Sequence, residues 1–119
     1  MMFIASYSLR DNKAVAFREW VLKNSEAGQK HAPPGWKYLG VYFYVLGFSG
    51  AGRYDAETWW EVQNWAAFDA LRGHKDEEWD RLQSEFQEFV DPAQPSETRV
   101  LRTAADIRIR EPRKPKEKE

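Results

Sequence analysis

The sequence predicts an α+β fold in which a four-stranded antiparallel sheet carries helices on one face, in the chain order βαββαβ. Residues 3–9 largely alternate between apolar and polar side chains, as a half-buried strand does. Residues 36–48, WKYLGVYFYVLGF, are apolar or aromatic at nearly every position, which is typical of a strand covered on both faces. Apolar side chains recur at helical spacing in residues 14–28 and 79–89, so helices are expected between the strands.

The N-terminal part of the chain predicts one strand and one long helix. The strand covers residues 3–9, and Asp11 or Asn12 is expected to cap the helix that follows. The helix runs to about Gly28. Residues 31–35, HAPPG, end it because proline cannot continue a helix and restricts the residue before it.

The next part predicts two strands joined by a hairpin. The second strand covers residues 36–48, the glycine-rich residues 47–52 form the turn, and residues 53–62 form the third strand. Because side chains alternate along a strand, the second strand is expected to present two apolar faces, one of them rich in aromatic residues. One face carries Trp36, Tyr38, Tyr42 and Tyr44, and the other carries Leu39, Val41, Phe43 and Val45.

The C-terminal part predicts two helical segments and a last strand. Asn64 is a suitable N-cap for a short helix that ends at Gly73, and a second segment starts near Asp76 and ends before Pro92. The final strand lies within residues 98–109. We therefore predict one domain over residues 1–109, followed by a charged, proline-containing tail over residues 110–119.

The composition excludes several classes of function. The chain of 119 residues has 18 basic and 19 acidic residues, so no net positive field attracts nucleic acid. It has no cysteine, which excludes disulfides, thiol nucleophiles and thiolate metal sites. No segment reaches the about 20 apolar residues of a membrane-spanning helix, and no signal peptide is evident. A cytoplasmic protein that binds neither nucleic acid nor membrane is expected.

The element order resembles the dimeric α/β-barrel superfamily, in which two ferredoxin-like subunits pair their sheets into a closed barrel. Local similarity comes from GWKYLGVY at residues 35–42 and from TWWEVQNWAAF at residues 58–68, which resembles the strand-to-helix passage of the uncharacterised, NIPSNAP-like branch. The resemblance covers about residues 1–105. It implies a homodimer, and its members range from cofactor-free monooxygenases and isomerases to haem-degrading enzymes and proteins without known activity.

His74 and Glu61 are the candidate catalytic residues. His74 lies in the break between the two C-terminal helical segments, and imidazole titrates near neutral pH. Glu61 lies between Trp60 and Val62, where apolar walls can raise the pKa of a carboxyl group. The alternative interpretation makes His74 a polar loop residue and Glu61 a charge that protects a sheet edge.

Haem is the one cofactor that the resemblance suggests. Haem-degrading relatives pair a helix histidine with a strand tryptophan and an asparagine on the first strand. His74 and Trp59 or Trp60 match two of these positions, whereas the first strand offers Ser6 and Ser8 instead of asparagine. No other cofactor is expected, and two histidines far apart in sequence predict no metal site.

Six aromatic residues are candidates for lining a ligand pocket between helices and sheet. The leading hypothesis is a homodimer that binds a small apolar or aromatic compound there, as a cofactor-independent monooxygenase or isomerase-like enzyme. One alternative is a haem-binding protein that uses His74, and another is a non-catalytic dimerisation or interaction module whose aromatic residues only pack. The candidate ligand-binding residues are Tyr7, Tyr42, Tyr44, Trp59, Trp60 and Trp79.

Overall fold

The structure is a computed structural model that describes residues 1–45 and 54–109. Within these residues four strands form one antiparallel sheet, in the order β2-β3-β1-β4. The predicted α+β, ferredoxin-like fold is therefore confirmed. The elements are β1 (Met2–Tyr7), α1 (Ala14–Lys30), β2 (Trp36–Phe43), β3 (Ala56–Val62), α2 (Ala66–Gly73), α3 (Glu77–Phe89) and β4 (Glu97–Leu101).

The helices pack on one face of the sheet, which we call the covered face. Phe3 contacts Phe68 of α2, Tyr7 contacts Phe17 of α1, and Trp60 contacts Trp79 of α3. Within the described residues, every aromatic ring contact between a helix and the sheet involves the covered face. The opposite face, which we call the open face, carries Ile4, Ser6, Tyr42, Tyr44, Glu57, Trp59 and Glu61.

Phe17 is the centre of the core between α1, α3 and the sheet. Its side chain is 0% exposed. Five aromatic rings lie with their centroids between 5.4 and 6.0 Å from its own. Aromatic pairs at such distances contribute beyond the area that they bury. The five rings belong to Tyr7, Trp20, Phe43, Phe86 and Phe89.

A second cluster joins the start of β2 to α2. The Trp36 indole N–H donates to the carbonyl oxygen of Ala67 at 2.8 Å, and Val62 is 0% exposed beside them. Gly35 has φ +85°, and a Cβ there would lie 3.0 Å from the Ala67 Cβ. Glycine is therefore required at position 35 both for the backbone conformation and for the close approach of α2.

A β-bulge in β2 changes which residues share a face. Tyr38 pairs with Trp60 of β3, yet Gly40 pairs with the adjacent Trp59, so Leu39 is an extra residue on the β2 side. Gly40 accommodates the irregularity with φ +127°. Beyond the bulge the alternation is reversed. The prediction that Trp36, Tyr38, Tyr42 and Tyr44 share one face is wrong, because Tyr42 and Tyr44 lie on the open face.

Other predicted boundaries differ by a few residues. Asn12 has φ +61°, a left-handed conformation, and α1 begins at Ala14 without a side-chain cap, so neither Asp11 nor Asn12 caps it. Strand β4 covers Glu97–Leu101, at the start of the range predicted for the final strand. The predicted hairpin turn and tail lie in residues 46–53 and 110–119, outside the described part of the chain. None of the helices in residues 1–45 and 54–109 is long and apolar enough to span a membrane.

Candidate functional site

An apolar cleft lies between α1, α3 and the covered face of the sheet. We call it the helix-side cleft. Its cavity volume is about 60 Å³. A cavity that encloses a benzene ring measures about 150 Å³, so the cleft accepts a short chain or the edge of a ring. Its lining includes Trp20, Ser25, Tyr38, Thr58, Trp60 and Trp79.

The polar groups of the cleft are uncharged. No described residue that lines it is Asp, Glu, Lys, Arg or His. The Tyr7 and Thr58 hydroxyl groups are 2.8 Å apart and form a hydrogen bond under the cleft floor. Burial raises the pKa of the Tyr7 and Tyr38 hydroxyl groups above the ordinary value of a phenol, so both stay protonated at neutral pH.

Two of the predicted ligand-binding residues, Trp60 and Trp79, line this cleft, and their ring centroids are 5.7 Å apart. Tyr7 is not a lining residue, but its hydroxyl group is hydrogen-bonded to that of Thr58, which is. Tyr38 and Ser25 also line the cleft but were not among the predicted site residues. No simple sequence signal identifies Ser25, whereas Tyr38 is one of the aromatic residues of the apolar run.

The other three predicted ligand-binding residues form a separate group on the open face. Glu57 is the centre of this group: its carboxylate accepts hydrogen bonds from Tyr44 at 2.7 Å and from the Trp59 indole at 2.8 Å. Ser6 donates to it at 3.0 Å. Tyr42 stacks obliquely against Trp59, with ring centroids 5.4 Å apart. The predicted aromatic set is therefore divided between the two sheet faces.

The Glu57 carboxylate is held in its charged form. Burial alone would raise its pKa, but the hydrogen bonds from Tyr44, Trp59 and Ser6 and the nearby Arg99 guanidinium outweigh burial. The pKa of Glu57 therefore lies below its ordinary value of 4.5. The Arg99 guanidinium is 3.4 Å from the carboxylate, and only 13% of the Glu57 side chain is exposed. Glu57 thus organises four neighbours on the open face.

Replacing Glu57 by glutamine is expected to lower the free energy of unfolding by about 1 to 3 kcal/mol at pH 7, because charge-assisted hydrogen bonds are lost. A carboxyl group with a lowered pKa in the folded state stabilises the fold above pH 4.5, and this contribution is lost as the pH falls through the folded-state value. The difference between wild type and variant should therefore shrink at pH 3. Urea unfolding at both pH values measures this difference in free energy, and Glu61→Gln, at an exposed position, is the control. An unchanged difference at pH 3 would contradict the assignment.

His74 does not line the helix-side cleft. Its Nε2 lies 2.7 Å from the carbonyl oxygen of His31. Because a carbonyl only accepts, this nitrogen carries the proton and donates. The His31 Nδ1 lies 2.9 Å from Asp76, and Asp76 also accepts from the backbone N–H of Trp79 at the start of α3. The two histidines and Asp76 thus join the end of α1 to the junction of α2 and α3.

Glu61 lies on the open face near the end of β3, opposite Met2 and Lys37 in the sheet register. It is exposed and does not line the helix-side cleft. The structure therefore brings neither His74 nor Glu61 into contact with the cleft, and their catalytic roles stay predictions. Among residues 1–45 and 54–109 no group of three or more His, Asp and Glu side chains is placed to hold a metal ion.

The fold is shared with solved structures of NIPSNAP family proteins. Atu4242 from Agrobacterium tumefaciens, a NIPSNAP family protein with unknown function, is 16% identical and has a TM-score of 0.65. The match covers 89% of this chain and 96% of that one. An uncharacterised NIPSNAP domain protein from Burkholderia xenovorans is 14% identical, with a TM-score of 0.59 and coverage of 87% and 95%. The resemblance to the NIPSNAP-like branch is thus confirmed for the fold.

HapK from Hahella chejuensis also has this fold. It is 18% identical, with a TM-score of 0.57, and the match covers 87% of this chain and 95% of HapK. No family model matches the chain, and no curated protein matches it. At these identities the likeness establishes the fold alone.

Proposed function

We propose that this protein binds a small, uncharged and largely apolar molecule in the helix-side cleft. The observation that carries the proposal is the cleft itself, which is walled by tryptophan rings and contains hydroxyl and amide groups but no charged side chain. An ion placed there would lose its hydration without gaining a partner of opposite charge. The cavity of about 60 Å³ favours a ligand that inserts one end and leaves the remainder at the open mouth.

Any reaction in this cleft would have to proceed without a charged acid or base from the lining residues. Isomerisation meets this condition, as does monooxygenation in which the substrate supplies two electrons and two protons, so that one atom of O₂ enters the product and the other leaves as water. Binding is the part of the proposal that the geometry supports best, and a cofactor-independent enzymatic step is secondary to it. A cytoplasmic location remains part of the proposal and rests on composition.

Gly28 offers a way to block the cleft without disturbing its walls. It lines the cleft from α1, and a Cβ added there meets no atom within 4 Å. Gly28→Leu is therefore expected to fill the cleft and weaken binding of acetophenone, a neutral aromatic probe, by at least about ten-fold, a difference of about 1.4 kcal/mol. Leucine also has the higher helix propensity. NMR titration measures the affinity, and the indole N–H signals of Trp20, Trp60 and Trp79 should shift.

Gly73→Leu is the matched control, because an added Cβ there also meets no atom within 4 Å and Gly73 does not line the cleft. Its affinity for the probe should equal that of the wild type. If the indole signals of the cleft do not shift in the wild type, or shift equally in Gly28→Leu, the proposed binding site is wrong.

We further propose that the chain forms a homodimer through the open face. Two of its aromatic side chains are exposed in the single chain, Tyr42 by 52% and Tyr44 by 38%. Leu101, at the edge of the same face, is 45% exposed. Tyrosine and other large apolar side chains are enriched in interfaces. A second copy would bury all three, and the hydrogen bonds of Glu57 hold Tyr44 and Trp59 in position for it.

The residues around His74 do not fit a haem group. Its Nε2 donates to the His31 carbonyl oxygen, so it is not free to bind iron. The ring edge packs against Trp79, with centroids 5.9 Å apart. The helix-side cleft, which Trp79 lines, has a volume of about 60 Å³, much smaller than a porphyrin. An axial role would require the bond to His31 to break.

A non-catalytic dimerisation module is the second candidate function. It is favoured by the position of His74 and Glu61, neither of which lines the cleft. Under this alternative the aromatic residues only pack, and adding the probe shifts the indole signals of neither the wild type nor Gly28→Leu. The titration described above therefore separates the two candidate functions.

A further inference from the structure

The hydroxyl group of Tyr38 lies on the cleft wall and has no close hydrogen-bond acceptor among the described residues. Its nearest partner is Ser25 Oγ, at 3.5 Å. A normal O–H···O hydrogen bond measures about 2.5 to 3.0 Å, so this contact is weak. In comparison, the Tyr7 and Thr58 hydroxyl groups are 2.8 Å apart and satisfy each other.

Ser25 cannot improve its contact with Tyr38 by donating to it. The Ser25 hydroxyl already donates to the carbonyl oxygen of Val21, one turn earlier in α1, at 2.6 Å. Its single proton is therefore used within the helix. Tyr38 must supply the proton of any bond between the two, and at 3.5 Å that proton remains available to a better acceptor.

The position of Tyr38 is fixed by its surroundings. Its ring packs edge-on against Trp60, with centroids 5.1 Å apart, and its backbone N–H donates to the Gln29 side chain at 2.8 Å. The strand bulge that follows keeps Tyr38 on the covered face while it places Tyr42 on the open face. The hydroxyl group is thus held rigidly at the cleft wall, where a donor loses little entropy on binding.

We infer that Tyr38 is a specificity-determining residue of the helix-side cleft, and that its hydroxyl group donates a hydrogen bond to an acceptor oxygen of an uncharged ligand. The ligand class is a small molecule with an apolar or aromatic body and one carbonyl or ether oxygen at the inserted end. This inference rests on the proposed function, since it names the ligand chemistry of the same cleft.

Two probes of the same shape test the inference. Acetophenone and α-methylstyrene differ only in that a carbonyl oxygen replaces a methylene group. The wild type is expected to bind acetophenone about five-fold more tightly, the effect of one neutral hydrogen bond. Tyr38→Phe should remove this preference and leave the affinity for α-methylstyrene unchanged, because only the hydroxyl group is lost. NMR titration of both proteins with both probes gives the four affinities.

Tyr44→Phe is the control, because it removes a tyrosine hydroxyl from the open face and should keep the five-fold preference. If both probes bind the wild type equally, or if the preference survives in Tyr38→Phe, the inference about Tyr38 is overturned while the proposed binding site stands. If neither probe moves the indole signals of the cleft in the wild type, the proposed function fails, and the inference fails with it.

Discussion

Phe17→Ala is expected to lower the free energy of unfolding by about 3 to 5 kcal/mol, the usual effect of removing a fully buried phenylalanine ring. The ring is 0% exposed, and its removal leaves a cavity between α1, α3 and the sheet. Domains of this size have about 5 to 15 kcal/mol of stability in total. The variant should therefore show a large fall in the midpoint of urea unfolding, measured by circular dichroism.

Val15→Ala on the same helix is the control, because Val15 is 70% exposed and its replacement should change stability by less than about 0.5 kcal/mol. A loss below about 1 kcal/mol for Phe17→Ala would show that Phe17 is not the centre of the core. Equal slopes of the two unfolding curves are needed for this comparison.

Tyr42→Asp is expected to convert the proposed homodimer into a monomer. In the single chain Tyr42 is 52% exposed, so a carboxylate at this position reaches solvent, and its cost to the monomer is the repulsion from Glu57, its cross-strand neighbour. In a symmetric dimer the substitution occurs twice and places two unpaired charges in the interface. We expect the dissociation constant to rise by at least about 100-fold, equivalent to about 2.7 kcal/mol. Sedimentation velocity over a range of protein concentrations measures it.

Leu22→Asp is the matched control for this charge. Leu22 is 70% exposed on α1, away from the open face, and its replacement should leave the dissociation constant unchanged. A wild type that stays monomeric at every concentration would contradict the homodimer. A dimer that Tyr42→Asp leaves intact would show that the chains associate through another surface.

The order of the elements could be predicted because apolar patterns mark β1, α1, β2 and α3, and glycine, proline and capping residues separate the other elements. Which side chains of β2 lie on which face of the sheet could not be predicted in this way. Counting alternate positions assumes an unbroken strand, and only the pairing with β3 shows that Leu39 is an extra residue. Gly40 was the available signal, since glycine inside a strand often marks a bulge. The open-face location of Tyr42 and Tyr44 follows from this single irregularity.

The candidate site was predicted in part. Trp60 and Trp79 could be identified as pocket residues because large aromatic side chains between helices and sheet are typical of ligand pockets. The importance of Tyr38 depends on a proton that Ser25 gives to a backbone carbonyl, and no sequence pattern reports such a bond. His74 was predicted to be catalytic because imidazole titrates near neutral pH, but its Nε2 is hydrogen-bonded to the backbone carbonyl of His31. Hydrogen bonds to the backbone thus account for both differences.

The bulge in β2 has a consequence for how this protein can vary. Tyr38 before it and Val41 after it both line the helix-side cleft, whereas Tyr42 and Tyr44 belong to the open face. Substitutions at Tyr38 or Val41 can therefore alter ligand preference while Tyr42 and Tyr44 stay unchanged, and the reverse also holds. One strand thereby offers two separately adjustable sets of positions, one on each face, to natural variation or to a designed library.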